Sequence, residues 1–209
     1  MTTNGEAVVT TRNGNGAVAT KISEDQLDVT TLLERLTTLE QRVNELETAP
    51  AQDIEDRVSM VVFSGELDKA IAAFIIATGA AAMGMEVSMF FTFWGLNVIK
   101  KQKVYEGKNF LEKGFTAMLP AGTGQLPLSQ INFFGAGSKI IRKLMNDHEV
   151  TSIEDFVEMA QEFGVRMVAC DMSRELLGVR DDELIDGLEF GGVASFMGDS
   201  ARSKASFFI

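Results

Sequence analysis

The sequence predicts an α/β fold built on a parallel sheet and preceded by a short coiled-coil helix. Three observations carry this. Two apolar runs, SMVVFS (59–64) and VSMFFTF (87–93), bracket an apolar helical stretch at 66–83. A third run, VRMVA (165–169), leads into another helical pattern, and a heptad-spaced segment precedes all of these. Strands that are apolar on both faces belong in buried parallel sheets, and a strand–helix–strand rhythm covers both faces of such a sheet with helices.

Taken in order, residues 1–22 are rich in Thr, Gly, Asn and Ala and are expected to be a disordered tail. Residues 23–50 form the heptad segment. Val29, Leu32, Leu36, Leu39, Val43 and Leu46 alternate steps of three and four, with Glu34, Arg35, Glu40, Arg42, Glu45 and Glu47 around them. This is coiled-coil spacing, with Ser23 or Asp28 as the cap and Pro50 as the stop. The segment reads as an oligomerisation helix, or as an amphipathic helix packed on its own domain. Residues 51–58 are a linker and 59–209 the α/β domain. Within it, 95–133 is irregular and carries Lys100, Lys101, Lys103, Lys108 and Lys113 ahead of a Gly/Pro-rich stretch. Helical periodicity returns at 140–145 and at 153–163, the latter capped by Thr151 or Ser152. After 165–169 come a short helix stopped by Gly178, a turn at 181–185, a short strand at 188–190, a helix at 193–203 and a closing strand at 205–209.

Composition bounds the function. The chain has 209 residues, 45% hydrophobic and 23% charged, enough for one α/β domain with an appended segment. A formal charge of −11 argues against nucleic-acid binding, which draws on clustered Lys and Arg. One cysteine excludes an intramolecular disulfide and one histidine argues against a zinc site, so no metal or cofactor is expected. The polar N-terminus shows no signal peptide. The longest apolar stretch, 70–85, is too short to span a bilayer, so no integral membrane segment is expected and the cytoplasm is the default compartment.

Cys170 is the sharpest candidate. Ligands of open α/β sheets bind beyond the carboxyl ends of the strands, and Cys170 follows VRMVA just before a helix begins. Unpaired N–H groups at a helix start favour the thiolate, and Arg174 stands one turn along. Free cysteine is also among the most buried residue types, so an inert apolar role stays open. Spacing removes several chemistries: there is no C-x-x-C, Leu176 stands where a phosphate-binding cysteine loop needs Arg, and His148 lies in a polar stretch that reads as surface. What remains is chemistry of a solitary thiolate, such as carrying sulfur as a persulfide. Around it the cleft is expected to be finished by Ser64, Gly65, Thr92, Trp94 and Gly95, by Met172, Ser173 and Arg174, and by the 118–125 segment.

Other features are weaker. The Gly135-Ala136-Gly137 turn lacks the third Gly of a dinucleotide fingerprint and reads as a turn opening a helix. The five lysines at 100–113, against Glu106 and Glu112, either guide an anionic donor or form a solvated face. Met83, Met85, Met118, Met167 and Met172 read as core gap-fillers.

Several separated blocks carry a resemblance. VVFSGELDKAIAAFIIATGAAAMGMEVSMFFTFWGL, MLPAG, VRMVACDMSRELLGV, ELIDGLEFGGVASFM and the terminal FFI resemble, in that order, the DsrE/DsrF-like family over roughly 59–209. They are similar in particular to its DsrE-like sulfurtransferase branch, often labelled "peroxiredoxin family protein", although the T-x-x-C motif of a peroxiredoxin is absent. The resemblance implies a three-layer flavodoxin-like fold and homo-oligomers. It also implies sulfur trafficking between donor and acceptor proteins or small sulfane-sulfur compounds, with Cys170 of Ala169-Cys170-Asp171-Met172-Ser173 as carrier. A non-catalytic oligomeric scaffold, or a small-ligand module using the 135–137 turn, is the competing reading.

Overall fold

The computed structural model describes residues 7–13, 16–22, 29–48 and 55–209, in two units, Met1–Gln52 and Asp53–Ile209. In the first unit, β1 (Ala7–Asn13) pairs antiparallel with β2 (Gly16–Ile22), from Ala7–Ile22 to Asn13–Gly16. The expectation of a disordered tail is thereby corrected for these residues. Composition hid the sequence order: NGNG between two runs rich in Val and Thr is a hairpin signal. Helix α1 (Val29–Thr48) follows, with Leu32, Leu36, Leu39 and Val43 all exposed. The expected caps Ser23 and Asp28, the stop at Pro50 and linker residues 51–54 lie outside the described residues, as do the side chains of Val29 and Leu46.

The second unit is a five-stranded, all-parallel sheet with the order β6-β5-β4-β3-β7. Its strands are β3 (Glu55–Val62), β4 (Glu86–Phe91), β5 (Arg166–Cys170), β6 (Glu189–Gly191) and β7 (Ser203–Phe208). Strand β3 starts inside the expected linker, because Glu55 and Arg57 extend the ladder and Arg57 pairs with Glu55, Glu86 and Asp199.

Two helices, α2 (Leu67–Ala82) and α5 (Ile153–Glu162), pack together on one face. Ala70, Ala73, Phe74, Ala77 and Ala80 of α2 recur at helical spacing and are buried, and small side chains let the helix lie close to the sheet. Beneath them Val58, Met60, Val62, Val87, Met89, Phe91, Met167 and Ala169 form the main core. Burying a side chain such as Phe74 or Phe91 is worth about 2–3 kcal/mol.

The other face is covered by α7 (Val193–Arg202), which carries the chain from β6 at one edge to β7 at the other and packs on β3, β4 and β7. The result is a three-layer, flavodoxin-like α/β fold. On the α7 face polarity changes along the strands. At their amino ends, buried Asp199 of α7 accepts hydrogen bonds from Arg57 (2.6 Å), Ser88 (2.8 Å) and Arg166. At their carboxyl ends, Phe90, Val168 and Cys170 form a second apolar cluster against Phe196 of α7. Hydrogen bonds to Glu189 hold the Arg166 guanidinium above its ordinary pKa.

Between β4 and β5 the irregular region 95–133 holds a 3-10 segment, Phe93–Ile99, and helix α3 (Phe110–Met118), and the helical period at 140–145 becomes α4 (Ala136–Asp147). Helix α3 is announced by a capping box between Asn109 and Glu112. A left-handed Gly135 opens α4, and His148 at its end is exposed, as expected. Several methionines depart from the gap-filler reading: Met167 is buried, but Met83, Met118 and Met172 are exposed. Among the described residues no helix is long and apolar enough to cross a membrane.

Candidate functional site

Register builds the site. Val62 pairs with Phe91, Phe91 with Ala169, and Cys170 with Gly191, so the carboxyl ends of β3, β4, β5 and β6 lie in one row. Cys170 is the last residue of β5, which ends one position later than the sequence suggests because β6 continues the ladder to that point. It is also the N-cap residue of α6 (Asp171–Leu177), a helix of seven residues ended by a left-handed Gly178. Its side chain is 4% exposed and makes no capping hydrogen bond. Period two explains its partners: Val168 and Cys170 share the α7 face with Phe90, whose ring lies 5.7 Å from that of Phe196.

One residue past the Phe91–Ala169 pair, Thr92 continues β4 in extended conformation beside Cys170. Its hydroxyl lies 2.8 Å from that of fully buried Ser173, tying the end of β4 to α6. Ser64 accepts a hydrogen bond from Lys69 (3.2 Å). Gly65 and Gly95 lock the first two loops together: a Cβ on Gly65 would stand 2.5 Å from the Trp94 carbonyl oxygen, and one on Gly95 would overlap the Val62 carbonyl. Gly95 N–H also donates to Phe63 O (2.8 Å). These glycines shape the rim by allowing backbone-to-backbone contact. Phe93, at φ 47, turns the chain there, with its ring 5.5 Å from that of Phe63 and Trp94 half-exposed beside it.

Two cleft expectations, the Arg174 charge and the 118–125 segment, are corrected. Arg174 does not lend an unopposed charge to Cys170: it pairs with Asp171 (2.9 Å) and Asp181, and its guanidinium carbon sits 4.1 Å over the Phe190 ring. Met172 is exposed. The 118–125 segment faces elsewhere, since Ala121–Gln125 lines a groove of about 520 Å³ with Lys100, Lys101 and Gln161.

The lysine cluster is not simply a solvated face. Lys108 donates to Glu183 and to Thr116 (2.8 Å), and Lys100 lies 3.5 Å from the other Glu183 oxygen; Lys100, Lys108 and Glu183 are all buried. Desolvation pushes the Lys100 pKa down, against the raising pull of Glu183. This triad and the Asp199 network escape a linear reading because their members are far apart in sequence.

The comparisons with known proteins can be set beside this geometry. The chain is 45% identical over 154 residues to the uncharacterized protein YrkE of Bacillus subtilis (strain 168), covering 73% of this chain and 96% of that protein. It is 33% identical over 159 residues to the sulfur carrier protein DsrE2 of Allochromatium vinosum, covering 74% of this chain and 99% of that one. Among solved structures, the ychN protein from E. coli aligns with 73% of this chain and 98% of its own at 11% identity, with a TM-score of 0.43. The family model described as DsrE/DsrF/DrsH-like matches residues 54–208, the whole of the sheet unit apart from its ends, and the chain belongs to that family.

Proposed function

We propose that this protein is a sulfur carrier that holds sulfane sulfur as a persulfide on Cys170 and passes it between donor and acceptor thiols. The observation that carries the reading is the position of the chain's one thiol at the carboxyl edge of the sheet, in a domain related to a protein named a sulfur carrier. With thiosulfate as donor, the Cys170 thiolate attacks the outer sulfur and the sulfur–sulfur bond breaks. Sulfite leaves with the electron pair, and the enzyme keeps Cys–S–S⁻. An acceptor thiolate then attacks the terminal sulfur, takes it as its own persulfide and returns the Cys170 thiolate. Both steps are exchanges in which atoms and charge balance without an external oxidant.

In this reading the Thr92 and Ser173 hydroxyls, 2.8 Å apart, position the sulfur, and the close backbone approaches at Gly65 and Gly95 hold the rim. A thiol with this role needs a reducing compartment, which favours the cytoplasm. The exposed leucine stripe of α1 is suited to homo-oligomerisation. One observation favours a second reading, a scaffold with an inert thiol: Cys170 is almost wholly buried. Sulfite release separates the two. A sulfur carrier mixed with thiosulfate releases about one sulfite per chain in a single burst, and Cys170→Ser releases none. An absent burst from folded wild-type protein, with thiosulfate and with polysulfide alike, favours the scaffold.

A further inference from the structure

The surroundings of Cys170 are apolar well beyond the side chains that cover it. Phe90, Val168 and Phe196 pack around the thiol itself. Farther along the carboxyl edge, on the same face of the sheet, lies an aromatic row. The Ser206 hydroxyl of β7 meets those of Ser59 on β3 (2.8 Å) and Ser200 on α7 (3.0 Å). Side chains alternate along strands, so Phe208 and Phe63 also point to the α7 side. The Phe63 ring stacks on Phe208 at 5.7 Å and meets Phe93 at 5.5 Å. Helix α7 runs from the carboxyl end of β6 to the amino end of β7 and leaves this row open, with Phe208 72% exposed. Phe93 follows Thr92, beside Cys170, and holds φ 47, a region bulky residues avoid. Strain of this kind collects where a ligand is held.

Charge points the same way. Lys69, which donates to Ser64, pairs with Glu66 (2.8 Å). Arg174 pairs with Asp171 (2.9 Å) and Asp181. Carboxylates thus engage both of these cations. A small dianion approaching the thiol would shed water against phenyl rings, with neither cation free to receive it, and that is costly.

We infer that Cys170 takes its sulfur from donors that carry it on an apolar organic group, seated on the aromatic row, and discriminates against bare inorganic dianions. The inference rests on the sulfur-carrier reading and names its donor class. Organic thiosulfonates have this chemistry. The Cys170 thiolate attacks the outer sulfur of an arylthiosulfonate, Ar–SO₂–S⁻, and the sulfur–sulfur bond breaks. The arylsulfinate leaves with the electron pair and Cys–S–S⁻ remains, with two negative charges before the step and two after it. The reaction is that of thiosulfate with one charged oxygen replaced by a ring. Contact of that ring with Phe63, Phe93 and Phe208 adds aromatic packing that thiosulfate lacks.

The test compares benzenethiosulfonate with thiosulfate at equal concentration on the full wild-type chain. Intact mass follows the rate at which Cys170 gains one sulfur. Each rate is divided by that of N-acetylcysteinamide with the same donor, which removes the donors' intrinsic reactivity. The resulting ratio favours benzenethiosulfonate by at least about tenfold, the scale on which an apolar pocket discriminates. Phe208→Ser, at an exposed position, lowers the ratio about three- to tenfold. Asp181→Asn, which releases part of the Arg174 charge, lowers it as well by raising the thiosulfate rate. A wild-type ratio near one, or a ratio unmoved by Phe208→Ser, overturns the inference and leaves the carrier reading standing. If neither donor loads Cys170, both fall.

Discussion

Cys170, to which the proposed function assigns the sulfur, is covered by the packing of Phe90, Val168 and Phe196. Access therefore depends on local opening of α7 at its Phe196 contact, with the Asp199 end anchored by Arg57, Ser88 and Arg166. An aromatic pair of this kind is worth about 0.5–1.5 kcal/mol beyond its buried area. Phe196→Ala is accordingly expected to raise the rate of Cys170 alkylation in the folded protein by about three- to tenfold, as measured with a thiol-reactive dye. An unchanged rate would mean that reagents reach the thiol by another route. The buried triad gives a second test at this scale. Glu183→Gln leaves the Lys100 and Lys108 ammonium groups buried without a counter-charge and is expected to cost about 3–5 kcal/mol in urea unfolding. Lys100→Met leaves one lysine facing one glutamate and is expected to be neutral or stabilising. The folded-state pKa of Lys100 is depressed, so the cost of its charge is full below that pKa and fades as pH rises towards the unfolded value of 10.5. The advantage of Lys100→Met over wild type should therefore shrink between pH 7 and about pH 10.

Among the elements, α1 makes its own prediction. Its leucines at 32, 36 and 39 are exposed, so if the helix serves assembly, Leu36→Ser with Leu39→Ser in the full chain lowers the mass seen by light scattering without loss of helix content in the sheet unit. An unchanged mass assigns assembly to other surfaces. The elements also show which kinds of structure a linear sequence reveals. The runs 59–64, 87–93 and 165–169 are legible because buried parallel strands are apolar on both faces. The region 95–133 is not, because a 3-10 segment, positive-φ residues and a short helix carry no sustained period; the Asn109–Glu112 capping box was its one available signal. The β1–β2 hairpin was masked by composition, which ignores the order NGNG. At the site, Cys170, Thr92, Ser173 and the two rim glycines follow from strand ends. Phe90 and Phe196, which cover the thiol, become partners only once α7 crosses beneath the sheet. The Arg174 charge is engaged by Asp171 and Asp181, which come from the helix start and a following turn and do not stand out in a linear reading.

At the scale of the whole molecule, the sheet unit places its one thiol under the contact between α7 and the sheet. Among the described residues, α7 on the long return from β6 to β7 is the helix packed over the Cys170 face, and α2 and α5 pack on the opposite face. Opening the site therefore need not disturb the main core beneath Phe74 and Phe91. A buried thiol is protected from adventitious oxidation between encounters, which suits the proposed carrier. In the proposed function, sulfur resides on this thiol. Intact-mass analysis of the full chain after thiosulfate or polysulfide, before and after reduction, tests it most directly. The account predicts a reducible gain of about one sulfur, ~32 Da, on wild type and none on Cys170→Ala. A folded wild-type chain that gains no mass, or a gain that persists in Cys170→Ala, would contradict it.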